Sequence, residues 1–395
     1  MRKIIVFSHL RWRFVYQRPQ HLLSRLAKYY SIIFIEEPIF DAQGSFFEVE
    51  EVSKNIQVYR PHTPSSAPGF HDDQLRYLQT LLGELLKRER DYIVWFYTPM
   101  ALPLLQELKP GLLVYDCMDE LSAFKNAPRQ LTQRENALLK IVDIVLTGGP
   151  SLYQAKCKRH RNVYCFPSSV DSAHFARAVN HSDSHALQKN ISRPRLGFFG
   201  VIDERFDTEL IATIAKARPN WQIVLVGPVV KIDPNTLPRT HNIHYLGQQP
   251  YEDLPQLLSG WDVCLLPFAL NEATRFISPT KTLEYMAGGR PIVSTAIADI
   301  IELYGDVVSI AHDSSSFIAL CEEALTLTPQ QEARQRNAMK AKVATTSWDA
   351  TAAKIRELLD TALALVNSQP NVPISQEKPQ FLFMGKLREK RLIYG

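Results

Sequence analysis

The sequence predicts an α/β protein made of two doubly wound parallel-sheet domains in tandem, and three observations carry that prediction. Short β-branched and aromatic runs alternate with helical patterns through both halves of the chain. The alternation restarts after a polar stretch near the middle. Finally, 395 residues with 45% apolar content exceed what one ordinary core encloses.

The first apolar run, Ile4 to Phe7, follows Met1-Arg2-Lys3 and is too short for a secretory leader, so it reads as a buried strand. Ile32 to Ile35, Ile93 to Phe96, Leu112 to Tyr115 and Ile144 to Thr147 read as further strands. Between them, Gln20 to Lys28 and Gln74 to Arg88 carry leucines at helical spacing. Tyr92 to Leu108 is apolar but is broken by Pro99 and Pro103, so no bilayer span is expected there. Residues Arg177 to Pro194, with Asn180, His181, Ser182, Asp183 and Ser184, read as a linker.

The second half repeats the pattern. Leu196 to Phe199, Ile223 to Val226, His244 to Leu246, Val263 to Leu266 and Ile292 to Ser294 are the expected strands. Helices are expected near Thr208 to Lys216 and Thr280 to Ala287, and a last one at Trp348 to Leu365. A Pro-rich tail with Pro370, Pro373, Pro379 and Phe381 follows. The expected division is 1–178, 193–346 and 347–395, the last segment returning to the first domain. Ligands of open parallel sheets collect outside the carboxyl ends of the strands, so the active site is expected between the halves.

Lys and Arg total 45 against 41 acidic residues, and a net charge of +4 gives no reason to expect a nucleic-acid partner. Five scattered cysteines without a Cys-x-x-Cys pair fit neither a disulfide framework nor a zinc site, and a reducing cytoplasm is expected. No Gly-x-Gly-x-x-Gly follows a strand, which argues against a dinucleotide-dependent oxidoreductase. No Asp-x-Asp pair or His-rich cluster suggests a metal, so no metal and no cofactor are expected.

The most informative segment runs from Ser278 to Pro291. Ser278 suits an N-cap, Pro279 the first helical position, and Gly288 or Gly289 a helix end with positive φ. The amino-terminal N–H groups, the hydroxyls of Ser278 and Thr280 and the charge of Lys281 together suit a diphosphate. Glu284, one turn on, could accept both hydroxyls of a ribose. The plainer alternative makes Lys281 and Glu284 a surface salt bridge and Ser278-Pro279 a mere helix start.

The same segment resembles the donor-binding signature of group 1, family 4-like glycosyltransferases, and more closely the branch typified by teichuronic acid biosynthesis enzymes. Gln17-Arg18-Pro19-Gln20-His21-Leu22, Val114 to Glu120, Phe166 to Asp171 and Gly200 to Arg205 share the resemblance. It implies the GT-B fold, two Rossmann-like domains facing a central cleft. It further implies that Gly200 admits the donor diphosphate, that Arg205 and Lys281 neutralise it, that Glu284 holds the ribose, and that Leu225 to Pro228 border the base. Two departures stand out. The family's upstream glutamate falls on Phe276, with either Glu272 or no residue as its substitute, and the usual glycine-rich first loop is replaced by Ser8 to Phe14.

In the first half, Asp116, Asp119 and Glu120 follow a strand, where a carboxylate could orient or deprotonate an acceptor hydroxyl, Asp119 foremost. A helix cap or a solvated loop is the alternative. His9 ends the first strand and is a catalytic candidate or a structural histidine, as is His21. Arg11, Trp12, Arg13, Phe14, Tyr16, Arg18, Arg25 and Lys28 interleave cations with aromatics, which fits an anionic acceptor, a peripheral membrane contact, or partly buried rings with solvated charges.

The expected activity is therefore metal-independent, retaining transfer from a nucleotide diphosphate sugar to a saccharide or lipid-linked acceptor. The expected setting is cell-surface polysaccharide synthesis, in the cytoplasm or at the inner face of the membrane. A nucleotide-sugar epimerase and a non-catalytic scaffold of the same fold are the competing readings.

Overall fold

The computed structural model describes residues 1–41, 43–180 and 185–367. The centre of the expected linker and the whole Pro-rich tail lie outside them. The chain forms two compact units. One comprises Met1–Ser122, Asn126–Pro167 and, among the described residues, 348–367. The other comprises Ala123–Lys125 and Ser168–Ser347.

In the first unit the strands are β1 (Lys3–Phe7), β2 (Ser31–Ile35), β3 (Ile39–Phe40), β4 (Phe46–Ser53), β5 (Ile56–Thr63), β6 (Ile93–Phe96), β7 (Leu112–Cys117), β8 (Ile144–Thr147) and β9 (Val163–Cys165). They form one sheet in the order β3-β5-β2-β1-β6-β7-β8-β9, parallel except that β4 runs antiparallel along β5. β6 and β8 are buried along their whole length, which is why they read as unbroken apolar runs rather than alternating ones. The helix Trp348–Asn367 closes this core with Trp348, Ile355 and Leu359. Trp348 stacks on His21 at 4.8 Å between ring centroids. His21 is thus a packed structural residue, the more ordinary of its two readings.

The second unit carries β10 (Arg195–Phe199), β11 (Gln222–Val226), β12 (Ile243–Tyr245), β13 (Val263–Leu266), β14 (Ile292–Thr295) and β15 (Ser309–Ala311). All are parallel, in the order β12-β11-β10-β13-β14-β15. The order reverses between β10 and β13, the place where a doubly wound sheet offers a crevice to a ligand. In the first sheet the corresponding reversal lies between β1 and β6.

The division by contacts falls at Ser168, ten residues before the boundary expected at 178. The helix Ser172–Asn180 goes with the second unit because Phe175 and Ala178 enter its core. His174 adds a hydrogen bond to the Tyr251 carbonyl at 2.9 Å and stacks on its ring.

Candidate functional site

The site in the second unit is built at the carboxyl ends of β10 and β11. β10 ends at Phe199, and Gly200 follows with φ +146°, a value that L side chains rarely adopt. A methyl group there would overlap Lys281 Cε and lie 2.8 Å from its Nζ, so the lysine side chain lies directly over the bare Gly200 backbone. Gly227, at the end of β11 with φ +143°, approaches the Gly200 carbonyl just as closely. The two loops are stitched by Gly200 N–H to Val226 O at 2.8 Å and Ile202 N–H to Pro228 O at 2.9 Å.

Lys281 opens the helix Lys281–Ala287, which ends through Gly288 and Gly289, the latter at φ +66°. The expected cap differs in detail. The Pro279 carbonyl already accepts the Thr282 N–H at 3.2 Å, the N-cap position falls on Thr280 in helical conformation, and no side chain caps it. Thr280 instead donates its hydroxyl to Ser168 at 3.0 Å, and Ser168 donates to the Ser278 carbonyl at 3.4 Å. The Thr280 hydroxyl proton is thereby used inside the protein, and Ser278 contributes its carbonyl where its hydroxyl was expected.

Glu284 is only 7% exposed, which rules out a solvated surface salt bridge with Lys281. Among the described residues no hydrogen-bond donor reaches its carboxylate. Burial raises the Glu284 carboxyl and the Lys281 ammonium opposes it, which leaves it pushed up to about 7. A carboxylate held this way can accept two donors from a ligand.

Arg205 lies on the loop after Gly200, where the buried Asp203 holds its Nη2 at 2.7 Å and its Nε at 3.0 Å. That fork fixes the guanidinium plane. The next segment is tied to this loop by Ala269 N–H to Arg205 O at 2.8 Å and Asn271 Nδ2 to Glu204 O at 2.9 Å. It carries Glu272, whose side chain is 78% exposed and faces Arg275 at 3.7 Å. Glu272 thus belongs to the loops beside Arg205, as a solvated carboxylate on a short turn.

In the first unit His9 follows β1 and Asp119 follows β7, two strands away at the same carboxyl edge. The three neighbouring carboxylates separate clearly. Asp116 lies inside β7, fully buried, and pairs with the equally buried Arg18 at 3.0 Å. Glu120 receives Lys156 Nζ at 2.7 Å, and Lys156, itself fully buried, also donates to Glu135 at 2.6 Å. Asp116 and Glu120 are structural ions, whereas Asp119 lies on the loop that follows β7. Neighbouring cations of the aromatic stretch are similarly used: Arg11 and Arg13 pair with Glu36 and Glu50. Trp12 packs against Phe34, while Phe14 and Tyr16 stay exposed. Among the described residues no three His, Cys, Asp or Glu side chains converge as a metal site.

Residues 193–327 match the family model described as Glycosyl transferases group 1. The group 1 match spans Gly200, Arg205, Glu272, Ser278, Thr280, Lys281 and Glu284, and stops short of His9 and Asp119. TuaH of Bacillus subtilis (strain 168), named as a teichuronic acid biosynthesis glycosyltransferase, is 24% identical over 260 residues, 58% of this chain and 63% of TuaH. The match thus spans somewhat under two thirds of the curated relative. A sucrose-phosphate synthase from Thermosynechococcus elongatus superposes with a TM-score of 0.71 at 16% identity, covering 92% of this chain and 100% of its own. A trehalose-6-phosphate structure from E. coli, bound with UDP-2-fluoro glucose, gives 0.65 at 13% identity over 91% and 98%. These likenesses establish the GT-B architecture with its two parallel sheets.

Ser168, Asp203 and Tyr285 fall inside the segments that carry the resemblance, but the sequence reading gave them no role of their own. Asp203 sits two residues before Arg205, a spacing that could have been read as an ion pair. Ser168 is 112 residues from Thr280, and only folding brings them together.

Proposed function

We propose that the protein transfers a glycosyl group, with retention and without a metal ion, from a nucleotide diphosphate sugar to a saccharide or lipid-linked acceptor. One observation carries the reading: a lysine lies over a bare glycine backbone, with a buried, donor-free carboxylate one helical turn away. The ammonium of Lys281 and the guanidinium of Arg205 meet the diphosphate, while Glu284 accepts the ribose hydroxyls. As the sugar–phosphate bond breaks, negative charge grows on the departing diphosphate, and these fixed cations stabilise it as it develops. Ser278, Thr280 and Gly200 shape the approach to that diphosphate.

In the first unit, Asp119 orients or deprotonates the acceptor hydroxyl and His9 is a further catalytic candidate; in the second, Glu272 serves the sugar end of the donor. The resemblance to TuaH, named for teichuronic acid biosynthesis, supports a role in cell-surface polysaccharide synthesis, which we place at the cytoplasmic side of the membrane. The exposed rings of Phe14 and Tyr16 suit a lipid-linked acceptor or a peripheral membrane contact. No helix among the described residues is long and apolar enough to cross a membrane.

The test is calorimetric titration with UDP, GDP, ADP and CMP compounds and their sugars, without added metal, on the wild type, Lys281→Ala and Glu284→Ala. One base family should bind selectively, and each variant should weaken it by roughly tenfold or more. No binding by any compound would overturn the transferase reading and favour a scaffold. Conversion of the bound nucleotide sugar into its epimer, without an acceptor, would favour the epimerase.

A further inference from the structure

At the opposite, amino-terminal edge of the second sheet lies a cavity of about 440 Å³. Arg193-Pro194 precede β10, Asp262 precedes β13 and Arg290-Pro291 precede β14, so three adjacent strands present their first residues to it. The helix Pro329–Ala344 adds Glu332 and Arg336 from the other side. Strands of four to five residues separate this edge from Gly200 by roughly 15 Å.

Three arginines meet two carboxylates here. Arg193 pairs with Asp262, and Arg336 faces Glu332 at 3.5 Å. Arg290 has no carboxylate of its own. Its Nη2 donates to the Ser259 carbonyl at 2.7 Å, and its Nε is buried without a hydrogen-bond partner among the described residues. Burial holds the Arg290 guanidinium below its ordinary value, and Arg193 and Arg336 push it the same way against Asp262. Partly buried charges normally have a partner, because desolvation is otherwise uncompensated. Capping the carboxyl end of the helix Leu254–Ser259 accounts for the bond to Ser259 but not for the surplus charge or the cavity beside it.

We propose that this cavity binds a phosphate oxyanion through Arg290, assisted by Arg193 and Arg336, as a site distinct from the nucleotide site. Its volume is in the range of small-molecule pockets and exceeds that of a bare ion, so the phosphate belongs to a small phosphorylated metabolite or arrives as the free ion. The inference does not depend on the glycosyltransferase reading.

The probe is inorganic phosphate, titrated into the full chain at constant ionic strength with chloride as the balancing salt. Wild type, Lys281→Gln, and Lys281→Gln combined with Arg290→Gln or with Arg336→Gln are compared by calorimetry, with thermal melts to report folding. Phosphate binding should persist in Lys281→Gln, which weakens any binding at the nucleotide site, and the binding that persists should be about tenfold weaker when Arg290→Gln is added and measurably weaker when Arg336→Gln is added. Arg336 is half exposed on a helix, so its variant keeps the test decisive if Arg290→Gln does not fold. Binding no different from chloride would overturn the proposal. So would phosphate binding lost in Lys281→Gln, or affinity unchanged when Arg336→Gln is added and when Arg290→Gln is added in a protein that folds.

Discussion

The backbone N–H of Phe199 donates to the phenolic oxygen of Tyr285 across 3.0 Å, with both side chains buried and their rings edge to face at 4.8 Å. The bond ties the last residue of β10, immediately before Gly200, to the helix that carries Lys281 and Glu284. Tyr285→Phe keeps the ring and strands the Phe199 N–H in the core. It should lower stability by about 1–3 kcal/mol. Urea unfolding measures that loss, and nucleotide titration should show weaker binding in the same variant because the lysine and the glycine lose their common anchor.

Glu284 links the site to pH. Its folded-state value of about 7 lies above that of an unfolded glutamate, so the native state binds the extra proton. Stability therefore falls as pH rises from about 4.5 towards 7, and the full cost is present above 7. Glu284→Gln should be more stable than the wild type at pH 8, on the order of 1–3 kcal/mol, with a flatter profile between pH 5 and 7. Thermal melts across that range check it.

The ribose hydroxyls need the ionised form of the same group. Nucleotide affinity in the wild type should tighten between pH 6 and 8, with proton release on binding, while Glu284→Gln binds weakly throughout. Calorimetry in buffers of different ionisation enthalpy reads the proton directly.

Gly200 and Gly227 separate binding from folding. A methyl at Gly200 meets the far end of a flexible lysine, whereas one at Gly227 meets the Gly200 carbonyl. Both positions have φ values unfavourable to alanine. Gly227→Ala should cost more than about 2 kcal/mol, with Gly200→Ala less destabilised but defective in nucleotide binding. Melts and titrations on both variants decide the order.

Asp116 and Arg18 are a buried pair, so losing one partner leaves the other charge uncompensated. Asp116→Ala should destabilise the first unit by about 3–5 kcal/mol, and Arg18→Met with Asp116→Leu should recover much of it. Asp119→Asn should lower turnover in a protein that still folds, a contrast read by denaturation and product formation.

Strands buried on both faces were legible because burial leaves only apolar letters: Ile93 to Phe96, Ile144 to Thr147 and Val263 to Leu266 are strands as expected. The hairpin of β4 and β5 was not, since its glutamates and Pro61 break any apolar run. Its period-two alternation and the two-residue turn Lys54-Asn55 were the signal to follow. The sequence singles out Gly200, Lys281 and Glu284 as candidates, whereas the fate of Asp116 depends on a partner 98 residues away. The burial of Glu284 had a local clue in Thr282, Leu283, Tyr285 and Met286, all of which are buried around it.

Trp348, Ile355 and Leu359 are made by the ribosome only after the whole of 168–347 has emerged, yet they complete the core begun at Ile4. Vectorial synthesis usually lets the earlier domain fold first. Here the later-made unit has all its own strands, β10 to β15, before the earlier one receives its final wall. The nascent first unit must keep its apolar surface soluble meanwhile, which makes it the part of the chain most in need of a chaperone during translation.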